Sequence, residues 1–294
     1  MKAGVDIGST LTKVAFKTGK GEWMFLSTSN CPLSYIAEEL YEHRVTRLNI
    51  GGIGQLDESV FGGFEINRLP GDPIVNEIQL QARGTRELLK LGGHDIDHFL
   101  LVSIGTGTSY TFVQKDKAKK FPIGNSVGGG FIRGLARGLN IDDADIWNPL
   151  ENRFADVETL DLLVQDVLPS TKEQPLGKLI IANFGKLDSR EKADQRELQK
   201  TLVNMAAAVI ARDIAIFKII YGLTEKHKLL YLAARLLKLR GLMDNIVIIG
   251  TAVSSCCALR EMLSAYCNGF LQTNPIFPPD SAFALAVGSY YMDE

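Results

Sequence analysis

The residues with the clearest chemical potential lie in the stretch GVDIGSTLTK, residues 4–13. A short apolar run ends at Asp6, and Gly8 is followed by two hydroxyl residues, Ser9 and Thr10. Glycine lets the backbone approach a ligand closely, and a concave row of N–H groups binds phosphate oxygens. At the end of its strand, Asp6 is placed to hold a hydrated Mg²⁺ that bridges those phosphates. The alternative is an ordinary N-terminal hairpin with a Gly-Ser turn.

Two further turns of glycine and hydroxyl residues follow apolar strands. LLVSIGTGTSYTFV at 100–113 repeats the opening plan, and IVIIGTAVSS at 246–255 places Gly250 before a helix. A separate glycine cluster, GNSVGGG at 124–130, opens a predicted helix, whose N-terminus favours anions. Three such turns are hard to explain by packing alone, so they indicate a nucleotide held between two lobes. The chain lacks the GxxxxGK[ST] and GxGxxG patterns, which argues against P-loop and Rossmann sites.

The elements that must position these turns describe a small α/β lobe followed by a larger one. Predicted strands cover 1–6, 11–17, 22–28, 47–50 and 100–113 (two strands), and a further strand begins at 246 and ends at the glycine turn. Predicted helices cover 34–43, 74–91, 131–139, 191–220, 224–240 and 281–292. Residues 61–73, rich in Gly and Pro, are interpreted as the crossing between lobes, with at most one short strand. Residues 141–167 are predicted to form acidic helices with a Trp-Asn-Pro break.

Composition and charge exclude several classes of function. Of the 294 residues, 46% are hydrophobic and 22% are charged, as in ordinary globular proteins. A net charge of −2 gives no reason to expect nucleic acid or an anionic membrane as partner. No apolar run reaches membrane-span length and no leader is visible, so we expect a cytoplasmic protein. The four cysteines show no CxxC spacing, so we expect small apolar packing residues rather than metal ligands.

Taken together, the motifs resemble the actin-like sugar-kinase superfamily and, more closely, the type II (eukaryotic-like) pantothenate kinases over nearly the whole chain. The matching stretches are GVDIGSTLTK at 4–13, NEIQLQARGTRELL at 76–89, GHDIDHFLLVSIGTGTSY at 93–110, GNSVGGG at 124–130, IIANFGK at 180–186, IVIIGT at 246–251 and SAFALAVGS at 281–289. GTGTS and ANFG in this order are fairly specific, whereas the opening turn alone would indicate only the superfamily.

The resemblance implies an α/β, two-lobed actin-like (ribonuclease H-like) kinase fold, with a mixed β-sheet flanked by helices in each lobe and the nucleotide in the cleft. We expect an N-terminal lobe over 1–72, on which the C-terminal helix at about 282–294 packs back. The second lobe, 73–281, would carry the acceptor and adenosine sites. ATP and Mg²⁺ are the implied cofactors, pantothenate the implied substrate, and a homodimer the implied assembly.

The resemblance also assigns a catalyst, Glu77, near the start of a helix. Its neighbours Ile74, Val75, Ile78 and Leu80 are apolar, so its carboxylate is expected to face the cleft. In the family, a glutamate at this place takes the proton from the pantothenate hydroxyl as it attacks the γ-phosphate. The alternative is a first-turn carboxylate stabilised only by the helix dipole.

A larger set of residues is implied to bind nucleotide or substrate. Nucleotide and phosphate contacts are expected from Asp6 (also the Mg²⁺ ligand), Gly8, Ser9, Thr10, Lys13, Gly105, Thr106, Gly107, Gly128, Gly129, Gly130, Asn183, Gly185 and Gly250. Substrate contacts are expected from Thr106, Thr108, Ser109, Lys120 and Tyr266, the last by reaching the partner subunit's site. Apart from the resemblance, Lys13 would be a solvated strand lysine, Asn183 a helix cap and Tyr266 a core residue.

Two departures from the family pattern bear on the substrate. The family usually has an arginine before the glycine cluster that pairs with the pantothenate carboxylate, and this chain has Phe121 there. Lys119 and Lys120 immediately precede Phe121. A lysine could supply the positive charge without the two-point geometry of a guanidinium. The alternative is that the run 115–120 is only a solvated hairpin tip. The segment 221–244 is longer and more basic than in compact bacterial-type members.

The sequence therefore predicts an ATP-dependent pantothenate kinase, with two alternatives. A kinase of the same fold acting on another small alcohol, such as a sugar or a pantothenate derivative, would fit the missing arginine. A non-catalytic nucleotide-binding protein, or an ATPase activator of a dehydratase that bridges an iron–sulfur cluster with cysteines, is the rival from another class. The adjacent pair Cys256 and Cys257 fits that activator poorly.

Overall fold

The structure, a computed structural model, describes residues 1–8, 10–148, 150–189, 192–222 and 245–293. Within these ranges the chain forms a five-stranded sheet, a four-stranded sheet and a small two-stranded one, with helices on their faces. The predicted helix over 224–240 lies outside the described residues.

The first sheet is built from the N-terminal strands. Its members are β1 (Lys2–Ile7), β2 (Thr12–Lys17), β3 (Trp23–Ser27), β4 (Arg47–Gly51) and β5 (Glu65–Asn67), accompanied by α1 (Leu33–Glu42) and α2 (Glu58–Phe61). Their spatial order is β3-β2-β1-β4-β5, with β1 antiparallel to β2 and parallel to β4. The mixed sheet predicted from this order of elements is confirmed. The crossing segment 61–73 contributes β5 to its edge.

The second sheet follows a long helix, α3 (Pro73–Leu91). Its strands are β6 (His98–Ile104), β7 (Thr108–Gln114), β8 (Lys117–Lys120) and β11 (Ile246–Ile249), in the order β11-β6-β7-β8, and the two-stranded sheet pairs β9 (Leu162–Leu163) with β10 (Ile180–Ala182). The remaining α-helices are α4 (Gly129–Gly138), α5 (Val164–Val167), α6 (Gln195–Gly222), α7 (Thr251–Ser255), α8 (Cys257–Leu271) and α9 (Ala284–Tyr290). The strand–turn–strand unit predicted over 100–113 is therefore confirmed.

Strand β6 shows why the second sheet is buried on both faces. Leu100, Val102 and Ile104 pack in the cluster that includes α6 and α8, while Phe99 and Leu101 pack in the cluster that includes α3 and α9. Alternate residues of a strand point to opposite faces, so a continuous apolar run is what two helical layers require. The sheet is thereby fixed between α3 on one side and α6 on the other.

The prediction of helices throughout 141–167 is wrong. Only α5 is helical there, and the described residues 141–148 and 150–161 form turns and irregular backbone. Side-chain oxygens of Asp142 and Asn148 accept the N–H groups of Ala144 and Leu150, both at 3.0 Å. Asp and Asn side chains that bond nearby backbone in this way compete with helix formation.

The C-terminal helix α9 crosses α3 at backbone contact. A Cβ on Gly84 would lie 1.7 Å from the carbonyl oxygen of Ala284, and one on Gly288 would lie 1.8 Å from that of Leu80. Helix α9 also touches β1, since a Cβ on Gly4 would lie 1.9 Å from the carbonyl oxygen of Ala286. Helix α9 thus joins β1 of the first sheet to the helix that precedes the second. Every described helix is too short or too polar to cross a lipid bilayer.

Candidate active site

A cavity of about 250 Å³ lies where the glycine turns of the two main sheets meet. Its lining comes from the β1–β2 turn, the β6–β7 turn, the start of α4, the loop after α4 and the start of α7. The lining residues are Gly8, Thr10, Leu11, Lys13, Gly105, Thr106, Gly129, Gly130, Arg133, Trp147, Thr251, Ala252 and Ser255. Turns that are far apart in the sequence therefore share one cavity, which we call the cleft.

The β1–β2 turn brings a buried acid and a lysine together. Asp6 and Lys13 are opposite each other in the antiparallel register, and the Asp6 Oδ2 to Lys13 Nζ distance is 3.6 Å. Burial raises the pKa of Asp6, while Lys13 acts in the opposite direction. The Gly8 N–H donates to the Leu11 carbonyl, which closes the turn at 3.0 Å. Ser9 lies outside the described residues.

The β6–β7 turn and the glycine cluster before α4 are held together by backbone hydrogen bonds. Gly129 N–H donates to the Gly105 carbonyl at 2.8 Å, and Gly130 N–H donates to the Thr106 carbonyl at 2.9 Å. These two N–H groups at the start of α4 are thus engaged by the neighbouring loop. An anion at this end of the helix would have to use other donors.

Four more of the predicted glycines and hydroxyls support this loop packing. Gly128 lies against the backbone of Gly107, where a Cβ would come within 2.7 Å. Thr108 is buried and its hydroxyl donates to the Val127 carbonyl at 2.7 Å. Gly250 has φ +117°, a conformation that favours glycine, and lies against the end of β6. The structure therefore places Gly107, Gly128, Thr108 and Gly250 behind the cleft lining.

Glu77 lies in the second turn of α3. The helix starts at Pro73 after the N-cap Asp72, whose Oδ1 accepts the Ile74 N–H at 2.8 Å. Because no acidic residue occupies the first turn, the helix-dipole explanation for Glu77 loses its basis. Of the apolar neighbours named from the sequence, Ile74 and Val75 are 57% and 50% exposed, so they do not shield the carboxylate.

Glu77 is not one of the residues that line the cleft, but its carboxylate interacts electrostatically with a residue of each main sheet. Partial burial raises the pKa of Glu77, the charge of Asp6 raises it further, and the charge of Lys120 lowers it. Asp6 belongs to β1 and Lys120 to β8, so the pKa of Glu77 depends on a charged residue of each main sheet. A carboxylate with a raised pKa between such groups is suited to accept a proton.

The departure at Phe121 has a structural explanation. Phe121 lies edge-on against Phe217 of α6, with ring centroids 4.8 Å apart, and packs against the cluster that contains that residue. Ala118 of β8 packs in the cluster that includes residues of α3. Lys120 is two residues further along the strand and shares this face, because alternate residues of a strand point to the same side. The lysine beside Phe121, and not position 121 itself, is therefore turned towards Glu77. Ser109, opposite Ser103 in the register, lies on the same face, where Gln81 of α3 bonds Ser103.

The residues present fit a divalent cation at Asp6. Two carboxylates, Asp6 and Glu77, are close enough that the charge of one raises the pKa of the other. A cation would relieve this repulsion, and Mg²⁺ is usually held by one or two carboxylates together with substrate phosphates. Among the described residues no cluster of three or more His, Cys, Asp or Glu side chains could hold a metal alone. A cation bridged by phosphates is therefore the arrangement that the site supports.

Six cleft-lining residues were not among the predicted site residues, namely Leu11, Arg133, Trp147, Thr251, Ala252 and Ser255, and two of them form a distinctive pair. The Arg133 guanidinium lies 4.8 Å from the ring centre of Trp147, and both side chains line the cleft. Within the part of the chain that the structure describes, the buried Trp147 indole N–H meets no hydrogen-bond acceptor. Arg133 could have been found, since it is one helical turn after Gly129 and Gly130 and so shares their face. Trp147 gave no signal, because it lies in an irregular segment far along the chain.

Three predicted residues lie on elements that contribute nothing to the cleft lining. Asn183 and Gly185 follow β10 beside the two-stranded sheet, with Asn183 exposed. Tyr266 on α8 donates its hydroxyl to Asn204 Oδ1 at 2.9 Å and lines a separate cavity of about 540 Å³. That cavity shares no lining residue with the cleft. Within one chain the structure does not bring these residues to the glycine turns.

Cys256 and Cys257 lie at the junction of α7 and α8, where both are buried. Burial raises the pKa of the Cys256 thiol to about 11. A cluster bridged across two subunits needs thiols at a surface that the partner can reach, and both thiols are buried within this chain. Their burial therefore disfavours the cluster-bridging role considered for this pair.

The sequence is similar to a group of kinases. The sequence profile of the Fumble family matches residues 76–289. A type II pantothenate kinase from Bacillus anthracis is 25% identical over 290 residues, which covers 97% of this chain and 95% of that protein. A type II pantothenate kinase from Staphylococcus haemolyticus is 25% identical over 304 aligned positions, with both chains covered completely.

The fold has solved counterparts. The activator of 2-hydroxyisocaproyl-CoA dehydratase from Clostridium difficile, with bound ADPNP, superposes with a TM-score of 0.56 and 13% identity. The match covers 98% of this chain and 92% of that one. At such low identity the likeness concerns the fold alone. The fold is the two-sheet α/β arrangement of actin-like ATPases and sugar kinases, as predicted.

Proposed function

The chain belongs to the Fumble family, and from this premise we propose that it transfers the γ-phosphoryl group of ATP to the terminal hydroxyl of pantothenate. The product would be 4'-phosphopantothenate, the first intermediate of coenzyme A biosynthesis. The observation that carries the proposal is that the partly buried Glu77 carboxylate lies within electrostatic range of both Asp6 on β1 and Lys120 on β8. The names of the relatives from Bacillus anthracis and Staphylococcus haemolyticus support the same reaction.

The glycine turns of the cleft would bind the nucleotide. Gly8, Thr10 and Lys13 line one side of the cavity and Gly105 with Thr106 the other, and these residues would contact the phosphates. The adenosine end would then lie towards the start of α7, where Thr251 and Ser255 line the cavity. Arg133 and Trp147 complete this end with a cation and a flat aromatic surface. Gly129 and Gly130 supply close backbone approach at the start of α4.

Glu77 would act as the general base. As the acceptor oxygen forms its bond to the γ-phosphorus, the bond from that phosphorus to the β–γ bridging oxygen breaks and ADP leaves. The proton of the acceptor hydroxyl passes to the Glu77 carboxylate. Partial burial and the neighbouring Asp6 raise the pKa of Glu77, so its carboxylate accepts this proton more readily than a solvated one would.

Asp6 would hold Mg²⁺ together with the nucleotide phosphates. The cation supplies positive charge at the phosphoryl group in transfer. Lys13, 3.6 Å from Asp6, is the protein's own cation beside these phosphates. The remaining substrate contacts are proposed for Ser109 and Lys120, with Lys120 as the partner of the pantothenate carboxylate. Its ammonium offers a point charge and not the two-point fork of an arginine.

A second candidate acceptor has a specific observation in its favour. Phe121 packs edge-on against Phe217, so the family's arginine position here serves the core. A kinase that recognises its acceptor without a bidentate arginine has a looser requirement for a carboxylate. A pantothenate derivative or another small alcohol is therefore the alternative substrate.

We further propose a homodimer and a cytoplasmic location. The lining of the cavity at Tyr266 includes the apolar side chain of Phe270, which is 45% exposed, as expected where a second copy packs. This would let Tyr266 serve a partner's site. The four cysteines are free thiols, which fits a reducing compartment.

Mass spectrometry of the products identifies which acceptor the protein phosphorylates. Purified protein with Mg-ATP would be offered pantothenate, a pantothenate amide that lacks the carboxylate, and glucose in separate reactions. The proposal predicts phosphorylated pantothenate as the main product. Preferred phosphorylation of the amide would favour the second candidate, and phosphorylation of glucose alone would contradict the pantothenate assignment.

A further inference from the structure

Gln79 of α3 bonds both backbone polar groups of one residue at the edge of the second sheet. Gln79 Nε2 donates to the Ala118 carbonyl at 2.8 Å, and Gln79 Oε1 accepts the Ala118 N–H at 3.1 Å. β8 is the edge strand of the four-stranded sheet, so these Ala118 groups point away from β7. The side-chain amide thus occupies the place that a further strand would take.

This two-point clamp connects the segments that carry the proposed base and its cation. Glu77 is two residues before Gln79 on α3, and Lys120 is two residues after Ala118 on β8. Ala118 and Lys120 share a face of the strand, and Ala118 packs in the cluster that contains α3 residues. The distance between β8 and the first half of α3 is therefore set where an acceptor would bind.

A second tether from the same helix lies at the far end of the hairpin. Arg86 Nη2 bonds Asp116 Oδ1 at 2.8 Å, in the turn between β7 and β8. This pair also links α3 to the hairpin, but it is two helical turns beyond Gln79. It offers a matched comparison for a purely structural effect.

We propose that Gln79 is a positioning residue of the acceptor site, which holds β8 so that Lys120 lies opposite Glu77 at the spacing of the acceptor. The inference rests on the proposed kinase function and goes beyond it, because it assigns acceptor affinity to a residue that touches neither substrate. A residue that only caps the sheet edge would affect stability and leave the KM for the acceptor unchanged.

The test is a double-mutant cycle of steady-state kinetics in the full-length protein. Gln79→Met keeps the side-chain length and removes both hydrogen bonds, and Gln79→Asn keeps the amide but withdraws it by one methylene. Each would be combined with Lys120→Met. Arg86→Met, alone and with Lys120→Met, is the control. ATP affinity is measured for every variant as a check on folding, and the two Gln79 variants guard against one failing to fold.

Losing the clamp is expected to raise the KM for pantothenate by about tenfold, with the KM for ATP unchanged. In the Lys120→Met background, losing the clamp should raise the KM for pantothenate by less than about twofold further. Both substitutions would remove the same contact, that of Lys120 with the acceptor, so their effects should not add. Effects of Gln79→Met that match those of Arg86→Met, or that add fully to Lys120→Met, would overturn the inference. Absence of any pantothenate-dependent turnover in the wild type would instead overturn the proposed function, and the role of Gln79 with it.

Discussion

Lys120 and Lys119 are adjacent lysines with different surroundings. Lys120 lies on the α3 side of β8 and lowers the pKa of Glu77, whereas Lys119 pairs with Phe112 on the opposite face. Only the first is therefore expected to influence catalysis. Position 120 could be proposed from the resemblance, but the difference between the two lysines follows from the register of β8, which the sequence does not reveal.

The pH dependence of turnover should distinguish these lysines. Glu77 must be ionised to accept a proton, so kcat/KM is expected to fall on the acid side of its pKa, which lies above the ordinary value of 4.5. Because Lys120 lowers this pKa, Lys120→Met should move the acid limb to higher pH. Lys119→Met is the control and should leave the limb in place. A limb that stays fixed in Lys120→Met would contradict the assignment of Glu77 as base.

At the scale of elements, the crossing of α3 and α9 depends on the absence of side chains. A Cβ at Gly84 would meet the backbone of Ala284, which cannot move aside as a flexible side chain would. Gly84→Ala is therefore expected to destabilise the protein by about 3 kcal/mol or more. Urea unfolding measures this change.

Gly134 of α4 is the matched control, since a Cβ there would meet nothing within 4 Å. Gly134→Ala should stabilise the protein by up to about 1 kcal/mol through helix propensity. Equal effects of the two substitutions would show that the helices do not cross at backbone contact.

Most elements could be predicted because their patterns are strong. Apolar runs that end in glycine turns indicated β1, β6 and β11, and the pair Asp72-Pro73 is typical of a helix start. Within 141–161 the predicted helices do not form. Acidic residues near apolar ones are compatible with a helix, but Asp and Asn side chains can also bond nearby backbone and form Asx turns instead. The Gln79 clamp lay beyond prediction, since it joins residues 39 positions apart.

At the scale of the whole molecule, the cleft joins turns of the first sheet to turns of the second. Bound Mg-ATP should therefore stabilise the entire chain, by about 2.7 kcal/mol at one hundred times its Kd. In Asp6→Asn the part of this stabilisation that depends on Mg²⁺ should disappear, while that of ATP alone remains. Thermal unfolding with ATP, with and without Mg²⁺, measures both parts.

Asp95→Asn, an exposed position on the loop after α3, is the control for this experiment and should behave as the wild type. A full magnesium effect in Asp6→Asn would contradict the assignment of Asp6. The division of the chain at 72 and 73 stays a prediction. The homodimer also stays a prediction. Local sequence patterns predict the two sheets, but they carry no signal for a contact between subunits.

The central claim is tested most directly by ADP release from purified protein with Mg-ATP, with and without pantothenate. Wild type would be compared with Glu77→Gln, which keeps the shape of the side chain and removes its basicity. We expect pantothenate-dependent turnover to fall by about one hundredfold or more in the variant, with ATP affinity retained. Pantothenate-dependent turnover that survives in Glu77→Gln would contradict the mechanism, and an absence of ATP binding in the wild type would contradict the kinase itself.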